Sequence, residues 1–227
     1  MGPRLVIAID GPAGSGKSSV SRAVASRLGL RYLDTGAMYR AITWAVLEAG
    51  LDPADTEAIR SFIEVSPDIV SGTDPVSPTI SVDGVDVGEP IRGPRVTDAV
   101  SAVSAVPEVR AYLMEHQRRH VAHSPAGIVV EGRDIGSVVL PNADLKVFLT
   151  ADPAVRAQRR AAEGIDGLDA SLAATEAALL TRDAQDSSRS VSPLTRADGA
   201  IEIDTTLLSF DEVVEAVVSL AVGLVEP

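Results

Sequence analysis

Residues 11–18 read Gly-Pro-Ala-Gly-Ser-Gly-Lys-Ser, the spacing G-x-x-x-x-G-K-S. The chemistry this spacing suits is the binding of phosphate. Gly11, Gly14 and Gly16 allow a tight turn whose N–H groups point inward at anionic oxygens. A helix starting just after the turn adds roughly half a positive charge at the same spot. The Lys17 amine can reach the β- and γ-phosphates of a nucleotide, and the Ser18 hydroxyl is a suitable Mg²⁺ ligand. The motif means little without its context, and the context is here. The apolar run Leu5-Val6-Ile7-Ala8-Ile9 precedes it, and a helical stretch over 18–28 follows. A glycine-rich turn without a ligand would need none of that agreement.

Other residues could do chemistry in groups. Arg133 and Asp134 follow the apolar run Ile128-Val129-Val130, where a strand's carboxyl end would present them. Arg156, Arg159 and Arg160 fall on one helical face, and Arg182, Asp186 and Arg189 on another. Each set could hold phosphate. The plainer alternative for each is a solvated surface ion pair, worth about 0–1 kcal/mol, and it suits Arg133 and Asp134 least because they follow a buried strand. His116, His120 and His123 share a helical face at a spacing a metal could use. With Arg118 and Arg119 beside them, a solvated helix face is the expected reading.

The elements that must carry these groups alternate between strand and helix. Strands are expected at 4–9, 31–33, 128–131, 145–149 and 200–203. Helices are expected at 17–28, 37–49, 55–64, 95–104, 107–123, 153–163, 169–187 and 210–224. Such alternation predicts an α/β fold, with a mainly parallel sheet of about five strands between helical layers. Ligands then bind at the strands' carboxyl ends, where 11–18, 34–36 and 132–134 all fall. Residues 65–94 break the pattern. Thr79-Ile80-Ser81-Val82 and Val85-Asp86-Val87 flank Asp83-Gly84, a hairpin signal. They predict a small antiparallel insertion within a core made of 1–64 and 95–227. The turn at Gly164–Leu168, between two helices, predicts a lid over about 154–170.

Composition narrows the class. The 227 residues fit one domain with an insertion, and aromatics at 3% leave an aliphatic core. The chain has no cysteine, which removes disulfides and thiolate chemistry and is compatible with a reducing cytoplasm. The first strand starts almost at once, leaving no room for a signal peptide, and no apolar run is long enough for a membrane span. The net charge of −12 argues against a nucleic-acid partner. It also demands that basic residues concentrate wherever phosphate binds. Only two lysines occur, Lys17 and Lys146, and one of them is the lysine of the loop motif.

Taken together, these segments resemble the bacterial cytidylate kinases, the (d)CMP kinases of the nucleoside monophosphate kinase group. The resemblance rests on Ile9-Asp10-Gly11-Pro12 through Ser18, on Leu33-Asp34-Thr35-Gly36-Ala37-Met38-Tyr39-Arg40, and on Glu131-Gly132-Arg133-Asp134-Ile135-Gly136. The insertion and Arg182-Asp183…Asp186…Arg189…Pro193-Leu194 complete it. It implies the P-loop kinase fold, ATP as phosphoryl donor with Mg²⁺, and CMP and dCMP as acceptors. It also implies a cytoplasmic monomer. The implied ATP-binding residues are Gly11, Pro12, Ala13, Gly14, Ser15, Gly16, Lys17, Ser18 and Ser19, with Ser18 on the metal. Arg40, Arg133 and Arg189 would hold the acceptor phosphate. Ser101, Arg110 and Asp134 would read the base, and Arg182 and Asp186 would touch the ribose. Lys17, Arg133, Arg189 and one or more of Arg156, Arg159 and Arg160 would neutralise the transferring group. Thr35 stands where the family often has serine, and Glu131 where some relatives have aspartate, so the role of Glu131 stays open. Another small-molecule P-loop kinase, a small GTPase or a non-catalytic ATP-binding module are the alternatives. The only asparagine, Asn142, is not in a guanine-reading Asn-Lys-x-Asp context.

Overall fold

The computed structural model describes residues 4–65, 67–162, 171–189 and 193–224. The phosphate-loop unit opens the chain as strand β1 (Leu5–Asp10), the loop, and helix α1 (Lys17–Leu28). Strand β2 (Arg31–Asp34) runs directly into helix α2 (Thr35–Glu48). The helix starts two residues earlier than the expected Ala37, because the Asp34 carboxylate accepts the Ala37 N–H at 2.8 Å and caps the first turn. Helix α3 (Thr56–Glu64) is capped in the same way by Asp55.

The insertion is a three-stranded antiparallel sheet: β3 (Ile69–Ser71), β4 (Ile80–Val82) and β5 (Val85–Asp86). The hairpin over Asp83-Gly84 is present, with both residues at positive φ. The third strand, β3, is an addition to the sequence reading. Ile69, Ile80, Val82 and Val87 share a core cluster with Ile42 and Val46 of α2. Helices α4 (Pro94–Val103) and α5 (Pro107–Ala122) then lead to strand β6 (Gly127–Gly132). A single π-helical turn over Ile135–Val139 follows, which the sequence reading did not contain. Strand β7 (Leu145–Thr150), helices α6 (Pro153–Ala162) and α7 (Leu172–Ser187), strand β8 (Ile201–Asp204) and helix α8 (Phe210–Gly223) complete the chain. The expected lid turn, Gly164–Leu168, lies outside the described residues.

The main sheet has the order β2-β6-β1-β7-β8, and every pairing is parallel. Its central strands are buried on both faces. Successive residues of β6 therefore alternate between two aliphatic clusters rather than between core and water. Ile128 and Val130 face one cluster with α2, α3 and α5; Val129 faces the other, with α1 and α8. This three-layer packing is the α/β architecture expected. Among the described residues, no helix is long and apolar enough to cross a membrane.

Candidate active site

The carboxyl ends of β1, β2 and β6 meet where the sheet order changes direction, and a cleft opens there. The loop forms its floor. Gly11, Gly14 and Gly16 all have positive φ. A Cβ on Gly11 would lie 2.2 Å from the Leu149 carbonyl oxygen, and one on Gly14 would lie 2.9 Å from that of Arg156. Glycine is thus required at both positions by close backbone approach as well as by conformation. Ala13, Gly14, Gly16, Lys17, Ser18 and Ser19 face the cleft, while Gly11, Pro12 and Ser15 form its backing.

Asp10 ties the loop to the next segment. It is buried, and its two oxygens accept the N–H groups of Ile135 at 2.8 Å and Gly136 at 2.7 Å. Those bonds hold the π-helical turn against β1 and so fix where Arg133 and Asp134 emerge. Burial raises the Asp10 pKa to about 6 against the pull of these two N–H groups.

The residues expected to read the base converge only in part. Arg110 and Asp134 are both buried and meet at 2.5 Å. Arg110 also donates to Ser104 O at 3.2 Å and lies 5.3 Å from the centre of the Tyr39 ring. Ser101 does not reach the cleft. Its neighbour one turn on, Ser104, does, and its hydroxyl accepts from Arg189 at 3.0 Å. Thr35 lines the cleft with its hydroxyl donated to Glu131 O at 2.7 Å.

The arginines separate into those that face the cleft and those that build its wall. Arg40 faces it, held by Ile91 O at 2.9 Å and Thr97 Oγ1 at 3.0 Å. Arg133 reaches Asp186 at 3.2 Å and Asp183 at 3.6 Å, and Arg189 reaches Asp186 at 2.5 Å. Arg182 lines the cleft with a buried Nε that has no hydrogen-bond partner among the described residues. The three arginines of α6 diverge. Arg160 lines the cleft. Arg156 is buried and committed to Asp183, Ala13 O and Ala151 O. Arg159 is committed to the Thr205 hydroxyl at 2.8 Å and carbonyl at 2.7 Å. A common helical face did not give the three a common target.

Charge is concentrated as the acidic composition required. Eight basic side chains line the cleft against four acidic ones. Burial, followed by repulsion from neighbouring arginines, lowers both Arg40 and Arg182 to about 10. Lys17 is lowered to about 8, by burial first and Arg133 second. Crowded, desolvated cations of this kind are stabilised by an anion between them. Glu131 is the counterweight. It is raised to about 7 by burial and then by Asp34, which stands directly opposite it across the β2–β6 pair. Its carboxylate accepts from Ser18 Oγ at 2.8 Å and from the Tyr32 hydroxyl.

The family profile described as "Cytidylate kinase" matches residues 7–222. The chain belongs to this family. It is 59% identical over 218 residues to the cytidylate kinase of Streptomyces coelicolor, covering 96% of this chain and 93% of that one. The cytidylate kinase of Streptomyces avermitilis is 57% identical over the same extents. Solved structures extend the likeness of fold. A shikimate kinase from Bacteroides thetaiotaomicron aligns with TM-score 0.50 at 13% identity, over 95% of this chain and 97% of that one. An uncharacterised protein from Eubacterium ventriosum aligns with TM-score 0.51 at 11% identity, over 96% and 98%. Family membership gives the cleft's features a common setting.

Several cleft residues escaped the sequence reading as site residues: Asp34, Tyr39, Ser104 and Glu131 line the cleft, and Asp183 braces two arginines beside it. For Asp34 and Glu131 a signal existed, since an acid at the carboxyl end of a buried strand has few structural uses. For Ser104 there was none, because Ser101 and Ser104 share a helical face. The histidines of α5 and its C-cap, His116, His120 and His123, are not among the residues lining the cleft. His116 packs its ring 4.4 Å from that of Tyr112, and His123 Nδ1 pairs with Arg119 O at 2.8 Å.

Proposed function

We propose that this enzyme transfers the γ-phosphoryl group of ATP to CMP, giving ADP and CDP, and that dCMP serves as a second acceptor. The observation that carries this reading is the cleft itself. Its lining brings together the phosphate loop, the buried Arg110–Asp134 pair, and Arg40, Arg133, Arg182 and Arg189. The triphosphate lies along the loop, with Lys17 on its terminal phosphates. The acceptor phosphate sits among Arg40, Arg133 and Arg189, whose planar forks suit bidentate contacts. Ionised Asp134 only accepts hydrogen bonds, and the N4 amino group of cytosine donates one. Uracil would present a carbonyl to that carboxylate.

An oxygen of the CMP phosphate attacks the γ-phosphorus in line. A new phosphorus–oxygen bond forms as the bond to the β,γ-bridging oxygen breaks, and ADP leaves with that oxygen. The attacking oxygen is anionic at neutral pH, so no general base is needed. Catalysis is positioning and charge stabilisation. Arg160 is the α6 arginine suited to the transferring group, while Arg156 and Arg159 act as struts. The donor set beside Lys17 fits Mg²⁺, with one hydroxyl, Ser18, and the opposed carboxylates Asp34 and Glu131 adding negative charge. When bound there, Mg²⁺ neutralises phosphate charge. The reading includes a cytoplasmic monomer, which follows from the family resemblance alone.

The test is ADP release from ATP·Mg²⁺ with CMP, dCMP, UMP, AMP or shikimate offered separately. Strong turnover is expected with CMP and dCMP only. Turnover with another acceptor would discard the base-reading assignment, and ATP binding without turnover would favour a binding module.

A pH effect follows from Lys17. In the free enzyme its amine titrates near pH 8. Phosphates against it raise the pKa, so the bound enzyme keeps the proton. Binding therefore takes up a proton above pH 8, and affinity falls by up to about tenfold per pH unit there. Calorimetric titration of ATP in buffers of different ionisation enthalpy should show proton uptake at pH 9 and little at pH 7. Equal uptake at both would remove Lys17 from the phosphate site.

A further inference from the structure

The least explained contact near the loop is the one between Tyr32 and Glu131. Tyr32 lies on the edge strand β2, and its register partner on β6 is Val129. Glu131, two residues further along β6, points to the same face of the sheet, the face covered by α1. Tyr32 is thus diagonal to Glu131 across the pair, a separation a tyrosine spans. Both residues are about 1% exposed. The Tyr32 backbone N–H donates to Thr73 O at 3.0 Å, which pins β2 from its outer side.

We propose that Tyr32 is a positioning residue for phosphoryl transfer, acting through Glu131 on the Ser18 hydroxyl. The Glu131 carboxylate divides its two oxygens. Oε1 accepts the Tyr32 hydroxyl, and Oε2 accepts Ser18 Oγ at 2.8 Å. With Oε1 held, the carboxylate plane is fixed, and the Ser18 hydroxyl proton is drawn toward Oε2. The lone pairs of Ser18 are then left for the cleft. Burial and the neighbouring Glu131 and Asp34 charges push the Tyr32 hydroxyl far up, so it stays a donor.

The proposal rests on the reading of Ser18 as the cation-holding hydroxyl, and the experiment separates the two. The non-hydrolysable analogue AMP-PNP is titrated into the enzyme with Mg²⁺ and with EDTA. The ratio of the two affinities is compared for wild type, Ser18→Ala and Tyr32→Phe, with CMP affinity and melting temperature measured beside it. Loss of one charge-assisted hydrogen bond should cut the Mg²⁺-dependent gain by about tenfold in Tyr32→Phe, leaving EDTA and CMP affinities within about twofold. A gain unchanged in Ser18→Ala would overturn the Ser18 reading. A gain lost in Ser18→Ala yet intact in Tyr32→Phe would overturn the Tyr32 proposal alone. If Tyr32→Phe proves unstable, the Glu131→Asp background decides. There the aspartate no longer reaches Tyr32, so adding Tyr32→Phe should cost less than about twofold. An equal loss in both backgrounds would mean simple core damage and end the proposal.

Discussion

Replacing Lys17 with alanine should lower kcat by about 10³-fold and leave the protein folded. An electrostatic group of this kind contributes about 3–4 kcal/mol to the transition state, and that converts to about 10²–10³ in rate. Lys17 should sit at the upper end, because its amine is desolvated and its one direct hydrogen bond among the described residues is a long one, 3.3 Å to Pro12 O. The stability argument has the opposite sign. The folded pKa lies below the ordinary lysine value, so the unfolded chain binds more protons between pH 8 and 10.5 and native stability rises with pH there. At neutral pH the lysine therefore works against folding. Its removal also relieves repulsion from Arg133, so the variant should melt no lower than wild type. ADP release and a thermal melt check both halves. Near-normal turnover in a folded variant would overturn the loop assignment.

What the sequence made legible follows from the range of the interactions involved. The loop, its strand and its helix are set by neighbours within about ten residues, and all three were readable. So was the insertion's hairpin, since Asp83-Gly84 fixes the turn locally. The strand β3 was not, because its three residues gain their strand character only by pairing with β4. The π-helical turn after Asp134 depends on two N–H groups reaching Asp10, 125 and 126 residues away in sequence. The arginines teach the same lesson. Helical periodicity put Arg156, Arg159 and Arg160 together, but Asp183 and Thr205 decide where two of them point. Asp183 is exposed to discovery only once α6 and α7 pack side by side. An ion pair's partner is a tertiary fact, whereas the spacing that permits it is local.

Asp134 offers the second large effect, and it tests selectivity rather than rate alone. Asp134→Ala should lower kcat/KM for CMP by about 10²–10³-fold and reduce the preference for CMP over UMP to within about tenfold. The logic is an unpaired polar group. On the proposed reading, cytosine supplies a donor to a carboxylate already oriented by Arg110 at 2.5 Å. Without the carboxylate, neither base has its partner, and discrimination falls to what shape provides. The alanine variant also strips Arg110 of its buried counter-ion, which costs about 3–5 kcal/mol of stability. A loss of activity by that route would be uninformative, so Asp134→Asn is measured beside it. Asparagine keeps the volume, and its carbonyl can still accept from Arg110. Its amide can also donate to the O4 of uracil, so UMP should gain on CMP in this variant. ATP affinity should stay unchanged in both, because the proposed reading assigns Asp134 to the acceptor base and not to the nucleotide on the loop. If Asp134→Asn keeps the wild-type CMP:UMP ratio, the carboxylate is a strut for Arg110, and the base is read by another group, with Ser104 and Tyr39 the cleft residues to replace next.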